Sequence, residues 1–323
     1  MLEVQSFPFW GFRHATAMLG YSLGLWASWV GGACSQTEDT AESKPEFYIE
    51  LEVGAEYDSV VSIDELDLSS DEGDYALIAD AKFGYSRPLG DGLEIDMSYN
   101  YSLLDYHEFS QVDQSSHIVS ADLNKDLGKT NLGLSGFYVK SDLDNRSLLE
   151  LGRLSPYLSG FFAKGWFARA GVVYSDKTND VNPGRDATAV IGEIDLYHFP
   201  TGKPWFINVG YKYRDEDASA AQFDYAGNTY KVRYVHRFAL WERKARFEAS
   251  LRRLDRDYRS NTPSIGEERF DRRDRARLAL QFNLSRRVEA EFYYTYSDWD
   301  SNLESVNFSQ DVAGLLLRYR QKH

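Results

Sequence analysis

From Phe47 onward the chain alternates apolar and polar residues almost without interruption. Phe47, Ile49, Leu51, Val53, Ala55 and Tyr57 share one parity, while Tyr48, Glu50, Glu52, Gly54, Glu56 and Asp58 hold the other. Successive side chains leave a strand on opposite faces, so strict alternation puts one face in an apolar medium and the other in water. The same period returns at 75–85, 93–103, 116–127, 130–140, 148–162, 166–174, 188–199, 205–213, 230–238, 245–251, 276–284, 288–296 and 313–319. It predicts about fourteen strands of roughly ten residues, the length that crosses a bilayer when tilted. Short turns are expected at 88–92, 127–131, 163–165, 199–204, 239–244 and 284–287. Longer polar loops are expected at 58–73, 105–115, 141–147, 176–187, 214–227, 256–269 and 299–308. Short and long connections in strict alternation predict an all-β fold over 46–323: a transmembrane antiparallel up-and-down β-barrel, with both termini at the short-turn end. Soluble sandwiches also alternate, but with shorter strands and fewer tyrosines on the buried face.

Composition looks contradictory until it is divided by parity. The mean hydropathy is −0.49 and 27% of the 323 residues are charged, yet 15% are aromatic. The low mean averages a lipid-facing row with a charged row, and the aromatics belong to the first. Tyr57, Tyr85, Tyr174, Tyr213 and Tyr296 end apolar rows, and Trp166 and Trp205 stand beside short turns, as interfacial girdles require. Beyond residue 33 no run approaches the ~20 apolar residues of a spanning helix. The single cysteine excludes a disulfide scaffold. The net charge of −14 disfavours nucleic acid as a partner.

Residues 1–33 read as a signal peptide: Arg13 and His14, an apolar stretch from Ala15 to Val30, then Gly31, Gly32 and Ala33 at a cleavage site. A membrane anchor is the other reading of this stretch. Cys34 would then begin the mature chain, and lipidation there competes with ordinary cleavage because Gly31 stands where a lipobox has a large aliphatic residue. Residues 34–45 form a polar leader.

With these features the chain resembles the bacterial outer-membrane β-barrel class. Near its end Gly314, Leu317 and Tyr319 are similar to the terminal-strand signal read by the barrel assembly machinery. Val312 departs from the usual polar residue, and Arg320–His323 extend past the aromatic. The run YTYSDWDSNLESVNFSQDVAGLLLRYR is similar to the C-terminal barrel of the surface lipoprotein assembly modifier family over the last two strands. The resemblance implies the outer membrane of a Gram-negative bacterium, periplasmic termini, and outer-membrane lipid and the assembly machinery as partners. It also implies a porin-like activity.

The parity opposite the apolar row describes the lumen. Early strands place Glu50, Glu52, Glu56, Asp80, Glu94, Asp96, Asp122 and Asp126 there, with Lys82 as the exception. Late strands place Lys212, Arg214, Lys231, Arg233, Arg237, Arg246, Arg252, Arg273, Arg275 and Arg277 there, opposed by Glu248 and Asp271. Charges of opposite sign on facing walls create a transverse field that admits small polar or charged solutes. The alternative is that they interlock and plug the barrel, since fourteen strands lie between filled and open sizes. Arg273, Arg275 and Arg277 read as a ladder for anionic groups, whereas Arg253 and Arg272 share the lipid-facing parity and read as rim charges paired with Asp255, Asp257 and Asp271. Asp58, Asp64, Glu65, Asp67, Asp71 and Glu72 crowd the first loop without the spacing of a calcium loop, so a solubilising surface role is expected. His117 and Ser120 point to opposite faces, His236 belongs with the girdle, and neither Gly-x-Ser-x-Gly nor His-Glu-x-x-His occurs. The expected function is a passive channel without enzymatic activity, cofactor or metal. The alternative is a structural or export-partner barrel assisting surface transport of a polysaccharide or lipoprotein.

Overall fold

The alternating rows are realised as fourteen antiparallel strands among the described residues, which in this computed structural model are 45–70 and 72–322. The signal-peptide, leader and Cys34 readings lie outside the described residues, apart from Pro45. The strands are β1 (Glu46–Asp58), β2 (Asp74–Gly90), β3 (Leu93–Tyr106), β4 (Gln114–Asp126), β5 (Thr130–Leu143), β6 (Arg146–Ala163) and β7 (Trp166–Asn179). They continue as β8 (Ala187–His198), β9 (Trp205–Ala218), β10 (Tyr225–Leu240), β11 (Arg243–Thr262), β12 (Glu267–Asn283), β13 (Val288–Ser301) and β14 (Phe308–Lys322). Each pairs with its neighbours in sequence, and β14 returns to β1 with Tyr48 opposite Lys322 and Asp58 opposite Val312. Closure leaves no sheet edge, which hydrocarbon would not tolerate.

The strands run from 12 to 20 residues rather than ten. Cross-strand pairing continues past the apolar band, where the outward row becomes Arg253, Asp255, Asp274, Arg272 and Asp300. Outside the band both faces meet water, so period 2 vanishes from the sequence while the ladder persists. The expected loop at 141–147 is therefore a tight turn at Asp144 and Asn145, and that at 256–269 shrinks to the connection between Thr262 and Glu267. Arg253 pairs with Asp255 at 3.1 Å and with Asp274 at 3.6 Å, and Arg272 reaches Asp300 at 4.0 Å rather than Asp271. Exposed pairs of this kind contribute ~0–1 kcal/mol each.

Large apolar side chains of the outward row, such as Leu51, Val53, Leu77, Val190 and Leu278, are about half exposed. Aromatic pairs flank this band. Phe47 meets Tyr85 at 5.0 Å and Trp166 meets His198 at 4.2 Å at the turn end; Tyr57 meets Tyr75 at 5.0 Å at the loop end. His236 belongs to the turn-end girdle, its Nδ1 3.0 Å from the Tyr234 hydroxyl. His117 sits outside the barrel against Tyr99 and Tyr101, while the hydroxyl of Ser120 pairs with that of Ser98.

The turn between β10 and β11 places Trp241 and Glu242 at φ 47° and 64°, a left-handed conformation that residues with a Cβ adopt at a cost. Glu242→Gly is expected to stabilise the barrel by about 1 kcal/mol, read as a higher urea midpoint with an unchanged slope. An unchanged midpoint would mean that the turn carries no strain.

Candidate functional site: the lumen and the loop that crosses it

The loop between β1 and β2, residues 59–73 and here termed L1, folds into the barrel. Two-residue strands Ser62–Ile63 and Leu68–Ser69 pair with each other, and a 3-10 turn at Asp64–Leu66 forms the tip. Its apolar residues explain the direction it takes. Val61 joins Ile78, Leu104, Tyr106, Tyr293, Val312 and Leu316 in a buried cluster, and Leu66 packs on Leu148 and Leu149. The base is pinned by Gln310, whose Nε2 donates to Asp58 at 2.8 Å and to the Val60 carbonyl at 2.8 Å.

The acidic tip reaches the far wall. Asp67 accepts two hydrogen bonds from Arg269 of β12, at 2.8 and 3.0 Å, and a further contact from Arg185 beyond β7. Asp64 pairs with Arg273, and Glu65 lies 3.5 Å from Lys177 of β7. In a ring of fourteen, β7 stands six strands from β1, one short of directly opposite, so L1 is a strap across the lumen. This corrects the solubilising role expected of the first loop. Asp58 is 1% and Asp64 7% exposed, and the L1 carboxylates at 64, 65 and 67 serve as counter-ions to the wall. Asp71 lies outside the described residues.

The early wall carries Glu50, 2.9 Å from Arg320, and Glu52, paired with Arg318. Asp80 accepts from Asn100 Nδ2 at 3.3 Å and Asp122 from the Tyr157 hydroxyl at 2.9 Å. Asp96 is buried beside them in register with Asp122, while Glu94 is exposed at the turn rim and accepts from Ser86 at 3.0 Å. On the late wall Arg246 pairs with Glu248 and donates to Gln281 at 2.9 Å. Arg277 pairs with Glu291 at 2.8 Å and covers the Tyr293 ring at 4.1 Å. Arg273 lies 3.9 Å over the Trp299 ring, and Arg233 and Arg237 approach the Phe206 ring at 5.7 and 5.9 Å.

Lys231, Arg252 and Arg275 face one another directly across β10, β11 and β12, and Arg237 faces Arg246. Like charges in register raise the local positive potential. Arg275 Nε also reaches Ser297 Oγ at 3.4 Å.

Several members of the network were absent from the sequence inventory. Arg318, Arg320, Glu289 and Glu291 stitch the barrel's closing strands together, with Arg318 3.0 Å from Glu289. Asp195 and Glu193 of β8 belong with them, Asp195 lying 3.2 Å from Lys231 and Glu193 3.7 Å from Lys212, two lysines whose inward parity is already plain. The parity count extended through β6–β8 and β13–β14 exposes all of them. The sign separation of the two walls is therefore interrupted by carboxylates on the basic side and guanidiniums beside the acidic one. Among the described residues no group of three or more His, Cys, Asp or Glu is placed to hold a metal ion.

Gly314 faces inward on β14 beneath the Tyr293 ring, where an added Cβ would collide with the ring; Leu317 faces outward and is 42% exposed. Tyr319 shares the outward parity of Leu317. Tyr48 over Gly84 and Tyr157 over Gly133 repeat the Gly314 arrangement on β1–β2 and β5–β6.

The sequence matches no protein-family model and no curated protein. The fold is similar to that of OmpT expressed in the outer membrane of Vibrio cholerae: TM-score 0.52 and 11% identity, over 88% of this chain and 99% of that one. In-vitro folded OmpT, described as an outer membrane protein of Vibrio cholerae, gives TM-score 0.51 and 9% identity over 89% and 100%. Pseudomonas aeruginosa OpdQ gives TM-score 0.44 and 11% identity over 87% and 99%.

Proposed function

We propose that the chain is a porin-like channel of the Gram-negative outer membrane, passing small polar or charged solutes through a lumen narrowed by L1. The observation that carries this reading is a charged inner face enclosed by an apolar band and crossed by one loop. Such an arrangement separates an aqueous path from lipid and gives it a constriction. The short-turn rim and both termini then lie in the periplasm, with residues 1–33 as the export signal and the assembly machinery reading Gly314, Leu317 and Tyr319.

Planar-bilayer recording of the refolded chain tests it. Discrete conductance above lipid background is expected, with anions preferred. Charge reversal at Arg252 and Arg275 is expected to lower or invert that preference, because these residues stand in the like-charge row. Absence of conductance would overturn the channel reading.

A structural or export-partner barrel is the second reading, favoured by packing within the loop-end lumen. Leu148 and Leu149 are 0% exposed, and Glu56 and Leu316 are each 2% exposed. Silent bilayers together with loss of a surface polysaccharide or lipoprotein on gene deletion would favour it.

A further inference from the structure

Beneath the L1 tip lies a cavity of about 30 Å³ whose cationic lining is formed by Arg153, Lys177, Arg185, Arg214 and Arg256. The wall itself supplies one carboxylate to this lining, Glu216, which pairs with Arg214 and lies 3.3 Å from Lys177. The remaining carboxylates in the lining, Asp64 and Glu65, come from L1. Without the strap, the five cations of the lining would keep Glu216 and, behind Arg256, the wall carboxylate Asp271 at 3.9 Å, an excess of positive charge in a narrow chamber. Tyr225, Tyr258 and Phe223 form the rest of its polar and aromatic surface, and Arg185 lies 4.3 Å over the Phe223 ring.

The L1 carboxylates meet these groups as a ligand would. Asp67 is held by the two terminal nitrogens of Arg269, the bidentate mode by which arginine recognises carboxylates. Glu65 and Asp64 address Lys177 and Arg273 from the same short turn. Three carboxylates within four residues thus occupy cations drawn from β7, its following loop and β12, positions more than a hundred residues away.

We propose that this chamber is a binding site for a solute carrying several carboxylates, and that L1 occupies it as a tethered competitor until such a solute displaces the tip. The tether makes the competition intramolecular, so the resident carboxylates act at high effective concentration. A monocarboxylate offers one group against three and leaves the strap in place. A polycarboxylate can satisfy Lys177 and Arg185 of the lining together with the adjoining Arg269, which shares Asp67 with Arg185, and Arg273, both of which keep Asp271 as a wall partner; the displaced tip regains hydration for its own acids. For its role in transport the proposal rests on the channel reading; the site itself does not.

The test uses the full mature chain in detergent and substitutes the competitor isosterically: Asp64→Asn, Glu65→Gln and Asp67→Asn together. Calorimetric titration with citrate is expected to show binding about tenfold tighter in the triple variant than in the unmodified chain. Acetate and glucose should show no gain. Adding Lys177→Gln and Arg185→Gln is expected to abolish the gain. Heat-modifiable migration on a gel verifies the folded barrel in each case, and Asp67→Asn alone gives the same comparison with the smallest perturbation. Equal citrate affinity in folded unmodified and variant chains would overturn the proposal. Tighter citrate binding in a protein that does not conduct would sustain the site and sink the channel, whereas conduction with unchanged citrate affinity would do the reverse.

Discussion

Replacing residues 62–69 by a short Gly-Ser linker is expected to raise single-channel conductance several-fold and to strengthen anion preference. The replaced segment supplies Ile63 and Leu66, which pack inside the barrel, and the three carboxylates that face Lys177, Arg185, Arg269 and Arg273. Its removal widens the lumen and leaves those cations facing entering water. They are not stranded in a dry interior, so the heavy cost of an unpaired buried charge does not apply in full. The barrel's backbone pairing does not pass through L1, and closing a flexible loop of similar length between β1 and β2 changes the entropy little. Folded protein is therefore expected, with a lower urea midpoint from the lost packing. Unchanged conductance in a verified barrel would show that the constriction lies elsewhere, for instance at the Lys231–Arg252–Arg275 row.

The parts of this molecule legible in its sequence are those where two media meet. Between Phe47 and Tyr319 the apolar row faces one medium and the polar row another, so each membrane-level strand announces itself. Beyond the bilayer that contrast disappears, which is why the extension of β11 to Thr262 and of β12 back to Glu267 left no period to read. L1 runs against its acidic composition for a different reason. Its acids suggested solvent, and the opposing signal was Val61, Ile63 and Leu66, apolar residues in a segment that a purely surface loop would not require. The partners of its acids lie 112 to 209 residues away, a relation that only the register of the closed ring creates. Parity likewise told which charges face inward but not which of them meet. Arg277 finds Glu291 on the next strand, whereas Arg273 finds an L1 carboxylate.

Gly314→Ala is expected to destabilise the barrel by about 1–3 kcal/mol, the usual penalty for forcing extra volume into a packed site. Its Cβ would overlap the Tyr293 ring, and that ring cannot retreat freely. Its hydroxyl donates to Glu56, and the Arg277 guanidinium lies 4.1 Å over its face. Tyr293→Ala removes the obstacle at its own cost of about 3–5 kcal/mol. The informative quantity is the coupling. On the Tyr293→Ala background, Gly314→Ala should cost close to nothing, so the double-mutant cycle returns nearly the whole single-mutant penalty as interaction energy. A glycine needed only as an address for the assembly machinery behaves oppositely: urea unfolding of refolded protein is unchanged, and assembled yield in cells falls whatever occupies position 293. Gly133 beneath Tyr157 supplies the control, because β5 is remote from the chain's end and outside any terminal signal. If Gly133→Ala couples to Tyr157→Ala as Gly314→Ala does to Tyr293→Ala, ring packing accounts for both glycines. If only Gly314→Ala reduces cellular assembly while both pairs couple equally in vitro, Gly314 carries the packing role and the address together.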